Sequence, residues 1–231
     1  MKRLILFDID GTLLHTNGAA RRAFHRALID VYGTAGPIDA LPFDGKTDPQ
    51  IARELLSAAG LSRATIDASL GELYRAYLGN MAVEVAQPGY TPLVYPGVRE
   101  VLDALRPRGE LLLGLLTGNI ADGAALKLRS AGLADYFDFG AFGSDSEHRG
   151  ELPAIAVQRA RERTGVEFRG KDVVVIGDTP SDILCGRSLG VYAVGVCTGR
   201  HTREQLLAEG ADHVLDDLSD TPRVLDILAA A

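Results

Sequence analysis

The 231-residue chain is expected to fold as α/β, with a parallel sheet flanked by helices and an all-helical insertion after the first strand. Three observations predict this. The apolar runs at 4–7, 111–116 and 173–176 each stop at a cluster of Asp, Thr, Gly or Asn, as buried parallel strands do at the carboxyl edge of a sheet. From residue 98 onward, strand-like and helix-like segments alternate, which indicates a parallel sheet. Between Leu14 and about Pro88 the pattern is helical, with no convincing strand.

After the first strand, residues 17–32 place Ala20, Ala23, Phe24, Ala27, Leu28 and Val31 on one side of a helix. A Gly/Pro-rich loop covers 33–45, and Thr47-Asp48-Pro49 reads as a cap and first-turn proline opening a helix to Ala59. A further helical stretch covers about 64–85, where Gly71 and Gly79 argue against continuity. Residues 87–92 form an exit linker. Then come a helix at 98–105, a strand at 111–116, a helix at 121–131 and a short strand near 139–142. A helix from Pro153 to about Arg163 leads into the strand at 172–176, a short helix at 181–189 and a strand at 191–196. A helix near 202–209, a strand near 213–215 and a helix from Thr221 complete the pattern. The division that follows is an α/β core of residues 1–14 and 92–231, carrying a helical cap of residues 15–91.

Composition narrows the functional classes. An apolar fraction of 46% and a charged fraction of 24% suit a soluble globular chain with one full core. No apolar run approaches membrane-spanning length, and the first is too short for a signal peptide, so the expected location is cytoplasmic. A net charge of −7 disfavours a nucleic-acid surface, and the basic stretch 158–163 reads as a solvated helix face. Cys185 and Cys197 lack metal-ligand spacing and read as buried thiols in a reducing compartment.

The strand ends carry the chemistry. Asp8 and Asp10 flank one residue, so an extended backbone would point both side chains to the same side. Gly11 permits a sharp departure and Thr12 can bond the loop backbone, although Asp-Gly-Thr is also ordinary turn chemistry. Later strands end in Leu115-Leu116-Thr117-Gly118-Asn119 and in Gly177-Asp178-Thr179-Pro180-Ser181-Asp182. Open α/β sheets bind ligands at that edge. Gathered carboxylates repel each other, which points to a divalent cation and an anionic reaction centre.

These three motifs resemble those of the haloacid dehalogenase superfamily, and the resemblance spans essentially the whole chain. It implies a Rossmann-like core with a helical cap of the C1 type. The implied activity is that of a Mg²⁺-dependent phosphomonoester hydrolase acting on a small phosphorylated metabolite through an aspartyl-phosphate intermediate. The resemblance implies that Asp8 is the nucleophile and Asp10 the general acid and then base. Thr117, with Gly118 and Asn119, would bind the phosphoryl group. Asp8, the backbone carbonyl of Asp10 and Asp178 would hold Mg²⁺, with Asp182 behind them. Asp182 also lies three residues after Thr179, as in a capping box.

The family's third motif supplies a Lys or Arg, most familiarly as Lys-Pro. Here the segment is His148-Arg149-Gly150-Glu151-Leu152-Pro153, so the resemblance implies Arg149 as the phosphate-binding cation, against a solvated loop arginine. Lys127 reads as a surface residue of the helix after Thr117. In the cap, the segment Phe43-Asp44-Gly45-Lys46-Thr47-Asp48-Pro49 resembles the substrate-facing loop of phosphoglycolate-phosphatase-like members. That puts Lys46 and Thr47 against substrate, whereas helix-start chemistry explains Thr47 to Pro49 without a ligand.

Two other readings stay open. A β-phosphoglucomutase-like phosphotransferase would use the same residues and pass the phosphoryl group to a sugar hydroxyl. A non-catalytic phosphate-binding or regulatory protein would be expected to have lost some of Asp8, Asp10, Thr117 and Asp178, and all are intact. The expected partner is a small phosphorylated metabolite, with neither nucleic acid nor membrane, and the expected assembly is a monomer or homodimer.

Overall fold

The computed structural model describes residues 3–230. The chain begins with β1 (Arg3–Phe7) and the short β2 (Leu14–His15), then enters three helices, α1 (Ala19–Tyr32), α2 (Asp48–Ala58) and α3 (Arg63–Val85). It returns through β3 (Leu93–Val94), α4 (Val98–Leu105), β4 (Leu111–Thr117), α5 (Ala121–Ser130) and β5 (Gly140–Phe142). The remainder is α6 (Leu152–Thr164), β6 (Val173–Gly177), α7 (Pro180–Cys185), β7 (Tyr192–Val196), α8 (Arg203–Ala208), β8 (His213–Leu215) and α9 (Thr221–Ala230). Six strands form one parallel sheet in the order β5-β4-β1-β6-β7-β8.

The central strands read apolar throughout because both faces are covered. Successive side chains point to opposite faces. Ile5 and Phe7 of β1 therefore join Val174 and Ile176 of β6 in a layer under α4, α5 and α9. Leu4 and Leu6 join Val173 and Val175 in a second layer under α6. Each such side chain contributes about 1.5–3 kcal/mol on burial. Register then sets the site. Phe7 pairs with both Leu115 and Ile176, so Asp8 leaves the sheet between two neighbouring strands whose Thr117 and Asp178 follow one residue further along.

The three helices between β2 and β3 have their own apolar cluster, built on Phe24, Leu28, Leu55, Leu56, Ile66 and Tyr77. Phe24 meets Phe43 and Tyr77 edge-on, with ring centroids 6.0 and 5.3 Å apart. The cluster extends to Ile120 at the start of α5, so this unit packs directly on the mouth of the sheet.

The structure differs from the sequence reading in particular places. α3 runs unbroken through Gly71 and Gly79, because both face open space and a helical glycine costs only about 1 kcal/mol against a packed helix face. No strand is expected between residues 14 and 88, yet β2 pairs antiparallel with β3 through Leu14–Val94 and His15–Leu93. Two residues are too few to show an alternating pattern. Cys185 is a buried free thiol as expected, whereas Cys197 is only half-buried. Among the described residues no helix is long and apolar enough to cross a membrane.

Candidate active site

The ends of β1, β4 and β6 open into one cavity of about 400 Å³, lined by Asp8, Asp10, Thr117 and Asp178 from the sheet edge. Asp8 is fixed at its backbone, whose N–H donates to Ile176 O at 2.9 Å. Beyond it the chain turns at Gly11, which has a φ of 85°. A Cβ there would lie 2.3 Å from an oxygen of Asp178, so only glycine lets the first loop reach the end of β6. Thr12 completes that contact by donating its hydroxyl to Asp178 Oδ1 at 3.2 Å.

Thr117 sits at the last position of β4 with its side chain fully buried. Its Oγ1 accepts from the Asn119 side-chain amide at 2.7 Å and from the Asn119 backbone N–H at 3.4 Å. Its own proton therefore stays available to a cavity oxygen. Asn119 was expected to touch phosphate, but its amide is fully used. The Nδ2 also donates to Asp10 at 2.7 Å, and the Oδ1 accepts from Lys127 at 2.6 Å. Asn119 positions Thr117 and Asp10. Gly118 contributes backbone, its carbonyl accepting the Asp48 N–H at 2.8 Å.

Two buried cations face the carboxylates. Arg149, in the turn before α6, places Nη2 3.1 Å from Asp8 Oδ1 and also bonds Asp182. Its Nε finds no acceptor among the described residues. Its burial, 8% exposed, and its two carboxylate partners exclude the solvated loop arginine. Asp182 uses Oδ1 on Arg149 and Oδ2 on the Thr179 backbone and hydroxyl, closing the capping box of α7. It is committed to holding Arg149 and the helix start.

The second cation overturns an expectation. Lys127 is read from sequence as a surface residue, but it is 4% exposed and donates to Asp10 at 2.8 and 2.6 Å. It shares the inward face of α5 with Ala124 and Leu128, three residues before and one after. A lysine inside that apolar stripe was the available signal.

The side of the cavity formed by the helical segment between β2 and β3 carries Arg21, Phe43, Lys46 and Asp48. Lys46 lines the cavity but is ion-paired to Glu54. Thr47, also expected at the substrate, is fully buried away from it. Its hydroxyl donates to Glu147 O at 2.8 Å and accepts the Gln50 N–H, capping α2 against the core. Asp48, missed by the sequence reading as a site residue, crosses the seam to accept the Ile120 N–H at 2.8 Å.

Electrostatics set what the cavity can hold. Burial pushes the Asp8 carboxyl up to about 7, with Arg149 pulling down and Asp182 and Asp10 adding to the rise. Burial, then the charges of Asp182 and Asp8, push Asp178 up to about 9. Burial works against charge on Lys127 and Arg149 too, but Asp10 for the first, and Asp182 with Asp8 for the second, hold both well above their ordinary ranges. Asp8, Asp178 and Asp182 each offer an oxygen within 4.8 Å of the others. Hard, buried oxygen donors with excess negative charge are the ligand chemistry of a divalent cation such as Mg²⁺. An activated carboxylate, a second carboxylate in reach of it and two fixed cations can carry out nucleophilic displacement at an anionic centre.

The profile of haloacid dehalogenase-like hydrolases matches residues 2–190. The chain belongs to that family. A probable phosphatase, IndB, of Dickeya dadantii (strain 3937) is 31% identical over 225 residues, covering 95% of this chain and 92% of that protein. A phosphoglycolate phosphatase of Pseudomonas putida (strain KT2440) is 25% identical over 94% of this chain and 78% of its own length. The crystal structure of a predicted phosphoglycolate phosphatase from Haemophilus somnus 129pt superposes with a TM-score of 0.69 at 21% identity, covering 97% of this chain and 98% of that one. The haloacid dehalogenase-like fold is thus shared along the whole length.

Proposed function

We propose that this haloacid dehalogenase-like hydrolase is a Mg²⁺-dependent phosphatase that cleaves small phosphate monoesters through an aspartyl phosphate on Asp8. One observation carries the reading. Asp8, the Arg149 guanidinium beside it and Thr117 with its unspent proton line the same cavity, where they would supply a nucleophile and donors for a phosphoryl group. The phosphatase relatives support it.

In the first step an Asp8 oxygen attacks phosphorus and the bond to the leaving oxygen breaks. Asp10 gives its proton to that oxygen. In the second, Asp10 takes a proton from water, the water oxygen bonds phosphorus and the bond to Asp8 breaks. Lys127 and Asn119 hold Asp10 in place for both transfers. Thr117 and Arg149 bind the phosphoryl oxygens. Asp8, the Asp10 carbonyl and Asp178 would hold Mg²⁺, which supplies positive charge to offset the repulsion between a phosphate dianion and the carboxylates.

The helical segment 15–91 serves as a cap over this edge, joined to the α/β core at β2 and β3. A cavity of about 400 Å³ lies at the small end of ligand pockets and favours a compact metabolite, with phosphoglycolate the first to try. The reading is tested by a screen of phosphorylated metabolites with Mg²⁺, scored as kcat/KM, beside the Asp8→Asn variant. Phosphate release by the wild type and a loss of several orders of magnitude in folded Asp8→Asn are expected. Substantial turnover by that variant would overturn the covalent route. Conversion of β-glucose 1-phosphate to glucose 6-phosphate with little phosphate release would favour a mutase.

A further inference from the structure

The cations of the cavity differ in what they are already bound to. Lys127 is paired with Asp10, Arg149 with Asp8 and Asp182, Lys46 with Glu54, and Arg200 with Asp44 at 3.6 Å. Arg21 of α1 also lines the cavity, from the cap side, and among the described residues it has no carboxylate partner. Its guanidinium is nevertheless fixed. Nη2 donates to the backbone carbonyl of Ile38, and the group lies 4.3 Å from the centroid of the Phe43 ring. Phe43 is itself held edge-on by Phe24.

A partly buried guanidinium, oriented by a ring and a carbonyl and facing a ligand cavity without a counter-charge, is a preformed oxyanion receptor. The phosphoryl group has its own donors at the sheet edge, in Thr117 and Arg149. An anion reaching Arg21 must therefore belong to the other end of the substrate. We infer that Arg21 is a specificity determinant that binds a second oxyanion, a carboxylate or a second phosphate, on the leaving alcohol. The inference rests on the phosphatase reading and adds the substrate class to it. Lys46, which the sequence reading puts against substrate, is already paired with Glu54.

The test compares wild type, Arg21→Gln and Arg21→Lys on three substrates with Mg²⁺: 2-phosphoglycolate, its neutral amide, and ethylene glycol bisphosphate. The amide matches phosphoglycolate in shape and lacks the charge. The readout is the ratio of kcat/KM for an anionic substrate to that for the amide within one protein, so partial loss of folded enzyme cancels. Wild type should prefer an anionic substrate. Arg21→Gln should lower that preference about 30-fold, the loss expected for a hydrogen bond between charged groups, and Arg21→Lys should keep part of it. The anionic substrate whose ratio falls further identifies the carboxylate or the phosphate as the recognised group. Equal losses on all three substrates in Arg21→Gln, or no anionic preference in wild type, would overturn the assignment and leave the phosphatase reading standing. A wild type that hydrolyses none of the three, nor p-nitrophenyl phosphate, would overturn both.

Discussion

Lys127 grips both carboxylate oxygens of Asp10, at 2.8 and 2.6 Å, from the inward face of α5. The same ammonium reaches Asn119 at 2.6 Å, and Asn119 in turn holds Asp10 and Thr117. One lysine thus ties the proposed acid/base to Thr117, the proposed hydrogen-bond donor to the phosphoryl group. The arrangement restrains the Asp10 side chain, which is 40% exposed and would otherwise be free to turn away from the cavity.

Lys127→Met keeps most of the apolar stem and removes the ammonium. Asp10 loses two contacts and Asn119 one. The expected result is a fall in kcat of about a hundredfold, with KM changed only a few-fold, because geometry at the reacting centre is lost and substrate contacts are not. Steady-state kinetics on one phosphate monoester measure this. A folded variant with wild-type kcat would show that the lysine only fills the core.

Arg149 should behave differently. Its truncation to Ala leaves Asp182 buried and Asp8 without its nearest cation. Breaking a buried pair in this way costs about 3 kcal/mol or more in stability, read as a lowered Tm. The kinetic loss should again be about a hundredfold in kcat, with Arg149→Lys restoring part of both. Wild-type kinetics in Arg149→Ala would move the phosphoryl-binding role to Lys127.

Much of this site is legible in the sequence because strand ends are. An apolar run that stops at Asp8, Thr117 or Asp178 announces both a buried strand and the polar edge where it stops, and parallel pairing does the rest. Lys127 is harder to see. A basic residue in the last turn of a helix is ordinary dipole chemistry, and only its place between Ala124 and Leu128 marks it as inward-facing. Thr47 shows the reverse. Cap chemistry explains it from sequence, and the structure gives it no further task at the cavity. Asp48 occupies the first turn of the same helix, and nothing local reveals that its carboxylate crosses to Ile120. Contacts across a seam between two packed units depend on how the units dock, which no single segment encodes.

Metal removal tests the carboxylate cluster. EDTA should abolish turnover, Mg²⁺ should restore it, and Ca²⁺ should inhibit, because its larger and more variable coordination disturbs the in-line arrangement. Mg²⁺ should also raise the Tm of wild type, since it binds the folded cluster and relieves repulsion among Asp8, Asp178 and Asp182. Asp178→Asn should lose most of that Tm increase. Full activity in metal-stripped enzyme, or an equal Tm response in Asp178→Asn, would contradict the assignment.

Asp48 gives the seam a pH dependence of defined sign. Burial pushes its carboxyl up to about 6, against the pull of Lys127 and the Ile120 N–H, with Asp10 adding to the rise. In the unfolded chain the same group titrates near 3.8. Between those two values the folded protein binds more protons than the unfolded one, so stability falls as pH rises through this window and levels off above it. Asn in this position keeps an acceptor oxygen for Ile120 and carries no charge. Asp48→Asn should therefore match wild type at pH 4 and exceed it at pH 7.5. For a half-buried group screened by solvent the gain is about 1 kcal/mol, or about 3 °C in Tm. Thermal melts of both proteins in EDTA across this range check it, because the effects of titrating groups that do not act on Asp48 cancel in the difference. A Tm difference that stays constant from pH 4 to pH 7.5 would mean that Asp48 does not hold a buried charge at this seam.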